Sequence, residues 1–149
     1  MAQPVRVNAA PVLTLWAAIV AERLGHPPDT ALSLASAIAG TASRARTGAA
    51  GITLLGRQVP VVRLPDGTLR AADDTGAAAP AEPIRAYLAR AFGPRLPEVR
   101  GAMEERAARH PPEELNRIGL ALFATFRPEM PPGAAGRPQR ARLHLDRIR

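Results

Sequence analysis

The chain reads as a mainly α protein of the α+β class: about five helices, with a small antiparallel β-meander inserted after the second. Three observations carry this reading. Two apolar helical runs, Val12–Leu24 and Asp29–Arg46, are joined by the tight break Gly25-His26-Pro27-Pro28. From residue 52 to residue 71 the pattern becomes short apolar runs punctuated by turn signals. Beyond residue 82, three more helical stripes follow, separated by Gly-Pro and His-Pro-Pro stops.

Each element has its own justification. Met1–Ala10 reads as an extended lead-in. Helix one takes Pro11 at its first position and ends at Gly25, which enters the left-handed region more cheaply than any other residue. It holds the only tryptophan, Trp16, and is apolar almost all round, the mark of a helix covered on most sides. Helix two aligns Ala31, Leu34, Ala35, Ile38 and Ala42 on one face. In the meander, Ile52–Leu55, Gln58–Val62 and Thr68–Ala71 read as strands, with turns at Gly56-Arg57 and at Pro65-Asp66-Gly67. Pro60 has no amide proton, which assigns its strand to a sheet edge. Asp73–Ala81 reads as a linker. Helix three follows Pro83 and aligns Ile84, Tyr87, Leu88, Ala91 and Phe92 before Gly93-Pro94. Helix four runs from about Pro97 to Arg109 with Val99, Ala102, Met103 and Arg106 inward. Helix five, Glu113–Phe126, aligns Leu115, Ile118, Gly119, Leu122 and Phe126.

The expected organisation is a single compact domain over 1–126, made of the helical pair 11–47, the meander 52–71 and helices 82–126. A Pro/Gly/Arg-rich tail, 127–149, follows, and its Leu143, Leu145 and Ile148 are placed to pin its end onto the body. A chain of 149 residues is long enough to bury a real core. With 3% aromatic residues, that core must be built of Ala, Leu, Val and Ile, and exposed rings for stacking on single-stranded bases are scarce. The absence of cysteine excludes disulfides, thiolate nucleophiles and Cys-ligated metal.

The formal charge is +7, and all 20 basic residues are arginine. Alongside abundant Ala, Gly and Pro this fits the codon bias of a GC-rich genome, so the distribution says more than the total. Residues 1–75 hold 7 Arg against 5 acids, residues 76–149 hold 13 against 8, and the tail alone holds 6 against 2. Basic character is therefore concentrated at the C-terminal end, where it can serve as a handle for phosphate or acidic surfaces. The longest apolar run, Leu15–Ala21, is too short to cross a membrane. Arg6 ahead of an apolar run has the outline of a signal peptide. The helical pattern, however, continues through Glu22-Arg23-Leu24, and the expectation is a cytoplasmic protein without membrane association.

Three groups of residues are candidates for chemistry. The first is the segment Gly40–Gly48, in which Ser43, Arg44 and Arg46 supply the donors that phosphate oxygens accept, without the Gly-Lys-Ser/Thr of a P-loop. The bland alternative is a helix C-terminus whose free carbonyls are met by the same two arginines. The second is the tail, whose Arg137, Arg140 and Arg142 could track a nucleic-acid backbone or simply solubilise the terminus. The third is Leu15, Trp16, Ile19 and Val20 on helix one, either core or the seam of a homodimer. The breaks His26-Pro27-Pro28-Asp29 and His110-Pro111-Pro112-Glu113 read as helix connectors: Pro opens the next helix and an acid lies in its first turn. No His-x-x-x-His spacing for a metal and no nucleophile elbow occurs, so no catalytic residue, metal or cofactor is assigned. Helix one, the break, helix two and the hairpin follow the order of a reduced winged helix. Helix two, however, would expose Ser33, Ser36, Ala37 and Thr41, a poor set for reading base edges.

Two stretches, Val7–Ala18 running on through Asp29–Leu34, and Phe126-Arg127-Pro128-Glu129 followed by Leu143–Arg149, resemble a family of small bacterial proteins of unknown function. Such proteins carry a more basic loop where Gly40–Gly51 sits and a tryptophan in the tail, and this chain has neither. The resemblance implies no catalytic residues. The expectation is a non-catalytic binding protein for nucleic acid or another polyanion. The alternative is a protein–protein module or homodimer.

Overall fold

The computed structural model describes residues 4–40, 51–73, 75–129 and 141–149. The elements run β1 (Val5–Arg6), α1 (Ala9–Arg23), α2 (Pro28–Gly40), β2 (Gly51–Leu54), β3 (Arg57–Arg63), β4 (Leu69–Ala71) and α3 (Glu82–Phe92), then α4 (Leu96–Ala107), α5 (Pro112–Phe126), β5 (Arg142–Leu143) and a last turn α6 (Leu145–Ile148). Mainly α with a three-stranded antiparallel sheet after the second helix is the observed class.

α1 is the central rod. Residues 11, 12 and 14–21 are all buried. The helix starts two residues earlier than the sequence predicts, at Ala9, so Pro11 is its third residue. This is tolerated because the first four amides of a helix have no intrahelical acceptor. Its end is a Schellman turn: Gly25, at φ +102°, donates to the Glu22 carbonyl (3.0 Å) and His26 to that of Ala21 (3.2 Å). The chain thereby reverses into α2, which packs on α1 through Ala31, Leu34, Ala35 and Ile38, each at most 3% exposed.

The meander β2-β3-β4 differs from the expected one in two places. Leu54 pairs with Arg57, so the tight turn is Leu55-Gly56, one residue earlier than Gly56-Arg57. Both turn residues have positive φ, +53° and +77°, and a leucine there is strained by about 1–3 kcal/mol. Tertiary contacts hold it in place. The Leu55 side chain fills the hollow left by Gly119 on α5, where any Cβ would overlap Leu55 Cδ2, and its amide donates to Asn116 Oδ1 (2.6 Å). Asn116 Nδ2 completes the clamp on the Thr53 carbonyl (2.9 Å).

The second difference concerns Pro60, which lies in the central strand and not at an edge. β3 pairs with β2 over residues 57–60 and with β4 over residues 61–63, and Pro60 stands at the handover. Its carbonyl accepts from Ala72, beyond the end of β4, so its missing amide proton removes no ladder bond within the β3–β4 register.

α2 is stitched to the sheet by two side chains a turn apart. Thr30 donates to the Leu69 carbonyl (2.8 Å). The Ser33 hydroxyl donates to the Ala79 carbonyl (2.7 Å) and accepts from the Ala71 amide (2.8 Å). Ser33 is thus fully buried, contrary to the exposed face expected for it. Thr41, on the same expected face, lies outside the described residues. In the expected Asp73–Ala81 linker, the described residues make a turn's hydrogen bonds: Asp73 Oδ1 accepts from the Thr75 and Ala77 amides (2.8 and 3.0 Å). α3, α4 and α5 close the other sides of α1. Trp16 is fully buried, donates Nε1–H to the Gly119 carbonyl (2.9 Å) and meets the edge of Phe126 at 5.3 Å.

The two chain ends join the same core. Val5 pairs with Leu143 and Arg6 with Arg142, and Leu143, Leu145 and Ile148 are buried. The boundary expected after residue 126 therefore does not set residues 141–149 apart from the body. Among the described residues, no helix is long and apolar enough to cross a membrane.

Candidate anion-binding ribbon

Of the sequence-nominated anion-binding residues, Ser43, Arg44, Arg46, Arg137 and Arg140 lie outside the described residues. Arg142 is placed, and it sits at the centre of a basic ribbon built from both ends of the chain. The alternation of a strand produces this ribbon. Val5, Val7, Ala141 and Leu143 turn inward, each at most 3% exposed, so Arg6 and Arg142 turn the other way.

The hydrogen bonding fixes the geometry further. The Arg142 amide and carbonyl are both used on Glu129, at 2.8 and 2.9 Å. Arg142 therefore faces Arg6 in a non-hydrogen-bonded pair, the register that brings opposed side chains closest, with Cα atoms about 4.5 Å apart. Like charges in that position repel. The row across the ribbon is thus Arg6, Arg142, Glu129.

Glu129 is the acid the cluster contains, and Arg147 holds it. Arg147 Nη1 donates to Glu129 Oε1, and His144 Nε2 stands 4.0 Å from Oε2. The hydrogen bond from Arg147, followed by the charges of Arg147, His144 and Arg142, keeps the Glu129 carboxyl below its ordinary range. Two guanidinium groups, Arg142 and Arg147, therefore act on one carboxylate, and Arg6 stands on the other side of Arg142 in the ribbon. The Nε of Arg142 is buried and has no acceptor among the described residues. Arg127 and Arg6 are both exposed and make no ion pair with a described residue. Such a cluster can hold phosphate, sulfate or carboxylate oxygens through charge-assisted, partly bidentate hydrogen bonds.

The remaining nominated residues fall elsewhere. Leu15, Trp16, Ile19 and Val20 are at most 2% exposed within one chain. They are core, and helix one presents none of them to a second copy. Pro28 and Pro112 open α2 and α5, and the two histidines stand in the connectors before them. Burial lowers the His26 pKa, and His110 Nδ1 lies 3.8 Å from Glu114 Oε2. Among the described residues, no group of three His, Asp or Glu could hold a metal ion.

Arg6 is the member of the ribbon that sequence reasoning missed. Its signal is the alternation Val5-Arg6-Val7, matched by Ala141-Arg142-Leu143 at the other end of the chain. In comparisons with known proteins, no family model, no curated protein and no solved structure matches this chain.

Proposed function

We propose that the chain is a non-catalytic binding protein that engages nucleic acid or another polyanion through the Arg6–Arg142 ribbon, extended by the arginines of the 127–149 tail and by Arg44 and Arg46. The observation that carries this reading is the opposed arginine pair Arg6–Arg142. Two cations face each other at close range with one carboxylate nearby, and an anion laid across them would relieve the repulsion. A cytoplasmic setting and kinship with small bacterial proteins belong to the same proposal, since nucleic acid is the most abundant polyanion there.

The test is fluorescence anisotropy of labelled duplex DNA and of single-stranded RNA, titrated with the full chain at several salt concentrations. Neutralising three phosphates gives log K a slope of roughly −2 to −3 against log salt. Affinity should also be indifferent to sequence, because contacts to the backbone carry no base information. Absence of binding at low salt to either nucleic acid and to heparin overturns the proposal.

A further inference from the structure

Where β1 runs into α1, the ribbon borders a cavity of about 390 Å³. Asn8 and Ala10 at the start of α1 form one side, and Tyr87, Arg90 and Ala91 of α3 form the other, while the buried Val7 and Pro11 close the floor. Positions 87, 90 and 91 share one face of their helix by its 3 and 4 spacing. Tyr87 is the only tyrosine of the chain and is half-buried, with a hydroxyl that makes no hydrogen bond to a described residue.

Arg90 differs from its neighbours in charge pairing. Arg85 is committed to Asp29 and Glu82, Arg95 to Glu98, and Arg100 to Glu22 and Glu104. Arg90 is exposed at the cavity and makes no ion pair or hydrogen bond with a described residue. Its guanidinium donors are therefore open to an occupant.

The cavity is continuous with the ribbon. Val5 and Val7 turn inward, so Arg6 and Asn8 share the outward face of one extended segment, their Cα atoms about 6–7 Å apart. Asn8 Oδ1 accepts from the amide of Ala141 (3.2 Å), the residue before Arg142, which ties the cavity wall to both strands of the ribbon. Asn8 Nδ2 has no partner among the described residues and remains a donor at the cavity.

We propose that the cavity takes one unstacked base of a single-stranded polynucleotide whose phosphates lie on the Arg6–Arg142 ribbon; this rests on the polyanion reading above. The ring of Tyr87 supplies a stacking face, and Arg90 and Asn8 Nδ2 donate to the acceptors of the base edge or its sugar. One ring is enough for one base, so the scarcity of aromatic residues in the chain is no obstacle. The volume is at the low end of ligand sites, which run from about 300 to 1,000 Å³, and suits a single flat ring system. A base held in a duplex cannot enter without being flipped out of its stack.

The experiment is fluorescence anisotropy of the full chain with three labelled probes: a DNA strand of about 12 nucleotides, its duplex, and an abasic strand of the same length. The abasic strand carries the same phosphates without bases, so it separates the cavity from the ribbon. The complete strand should bind about tenfold tighter than the abasic one. Tyr87→Leu should remove that advantage, leaving duplex affinity and the salt slope unchanged. Should Tyr87→Leu fail to fold, the abasic comparison on the parent chain makes the same test, and the exposed Arg90→Gln should lower single-strand affinity severalfold. Equal binding of the complete and abasic strands, or a full single-strand advantage in Tyr87→Leu, overturns the cavity proposal while salt-dependent binding still supports the ribbon. Failure of all three probes to bind overturns the ribbon reading and this inference with it.

Discussion

The tip of the first hairpin and the ribbon joining the chain ends both violate a local rule, and they differ in what offsets the violation. At the tip, Leu55 occupies a backbone region that favours glycine. Its cost is offset on the spot: the side chain is 2% exposed in the Gly119 hollow, and the amide has Asn116 as its acceptor. At the ribbon, Arg6 faces Arg142 in the closest register, and the Arg142 Nε has no acceptor among the described residues. Among the described residues, Glu129 stands beside Arg142 against that repulsion, and Arg147 already holds its carboxylate. A broken rule offset by burial is architecture, and one left open is where a partner is expected.

The contrast can be broken first at the tip. Trp16 forms the other wall of the Gly119 contact, and Trp16→Ala should destabilise the fold by about 3–5 kcal/mol in urea unfolding, with the nucleic-acid affinity of the remaining folded protein unchanged. Gly119→Ala pushes a methyl into Leu55 and should cost about 1–3 kcal/mol through overpacking. A cost below about 0.5 kcal/mol would mean that the hairpin tip is not seated on α5. Both changes leave the ribbon charges in place.

The ribbon should respond in the opposite sense. Arg6→Thr combined with Arg142→Thr removes two guanidiniums, and the salt slope of nucleic-acid binding should become shallower by about 2. An unchanged slope would place the contacts elsewhere on the chain. The smallest effect is with pH. The Glu129 carboxyl has a folded pKa below its ordinary value of 4.5, so the stability it contributes is complete above that value and is lost as pH falls through the folded value. Glu129→Gln should flatten that acid limb of the stability curve. An acid limb identical to that of the parent would show that Arg147 does not hold the carboxylate in solution.

The helices were legible in the sequence because their signals are local: the apolar run of α1 with its closing Gly25, and the prolines that open α2, α3 and α5. The exceptions have non-local causes. The turn at Leu55-Gly56 was displaced by one residue because no turn preference selects leucine, and the hollow that selects it is 64 positions away at Gly119. Ser33 looks like a surface serine until β4 and Ala79 return to use its hydroxyl. Pro60 is excluded from a central strand only if both neighbours pair along its whole length, and here they share it end to end. As for the site, Arg142 could be named from tail composition. Its opposition to Arg6 could not, because that register joins residues 136 positions apart.

The most direct single measurement is on Arg142→Met, which keeps the packing of the arginine stem and removes its charge. Urea unfolding and nucleic-acid affinity are measured on the same preparation. The expected result is stability unchanged or raised by up to about 1 kcal/mol, as the repulsion with Arg6 disappears, together with affinity reduced severalfold at low salt. Stability lowered by more than about 1 kcal/mol with affinity intact would contradict it, and would make the arginine pair part of the architecture.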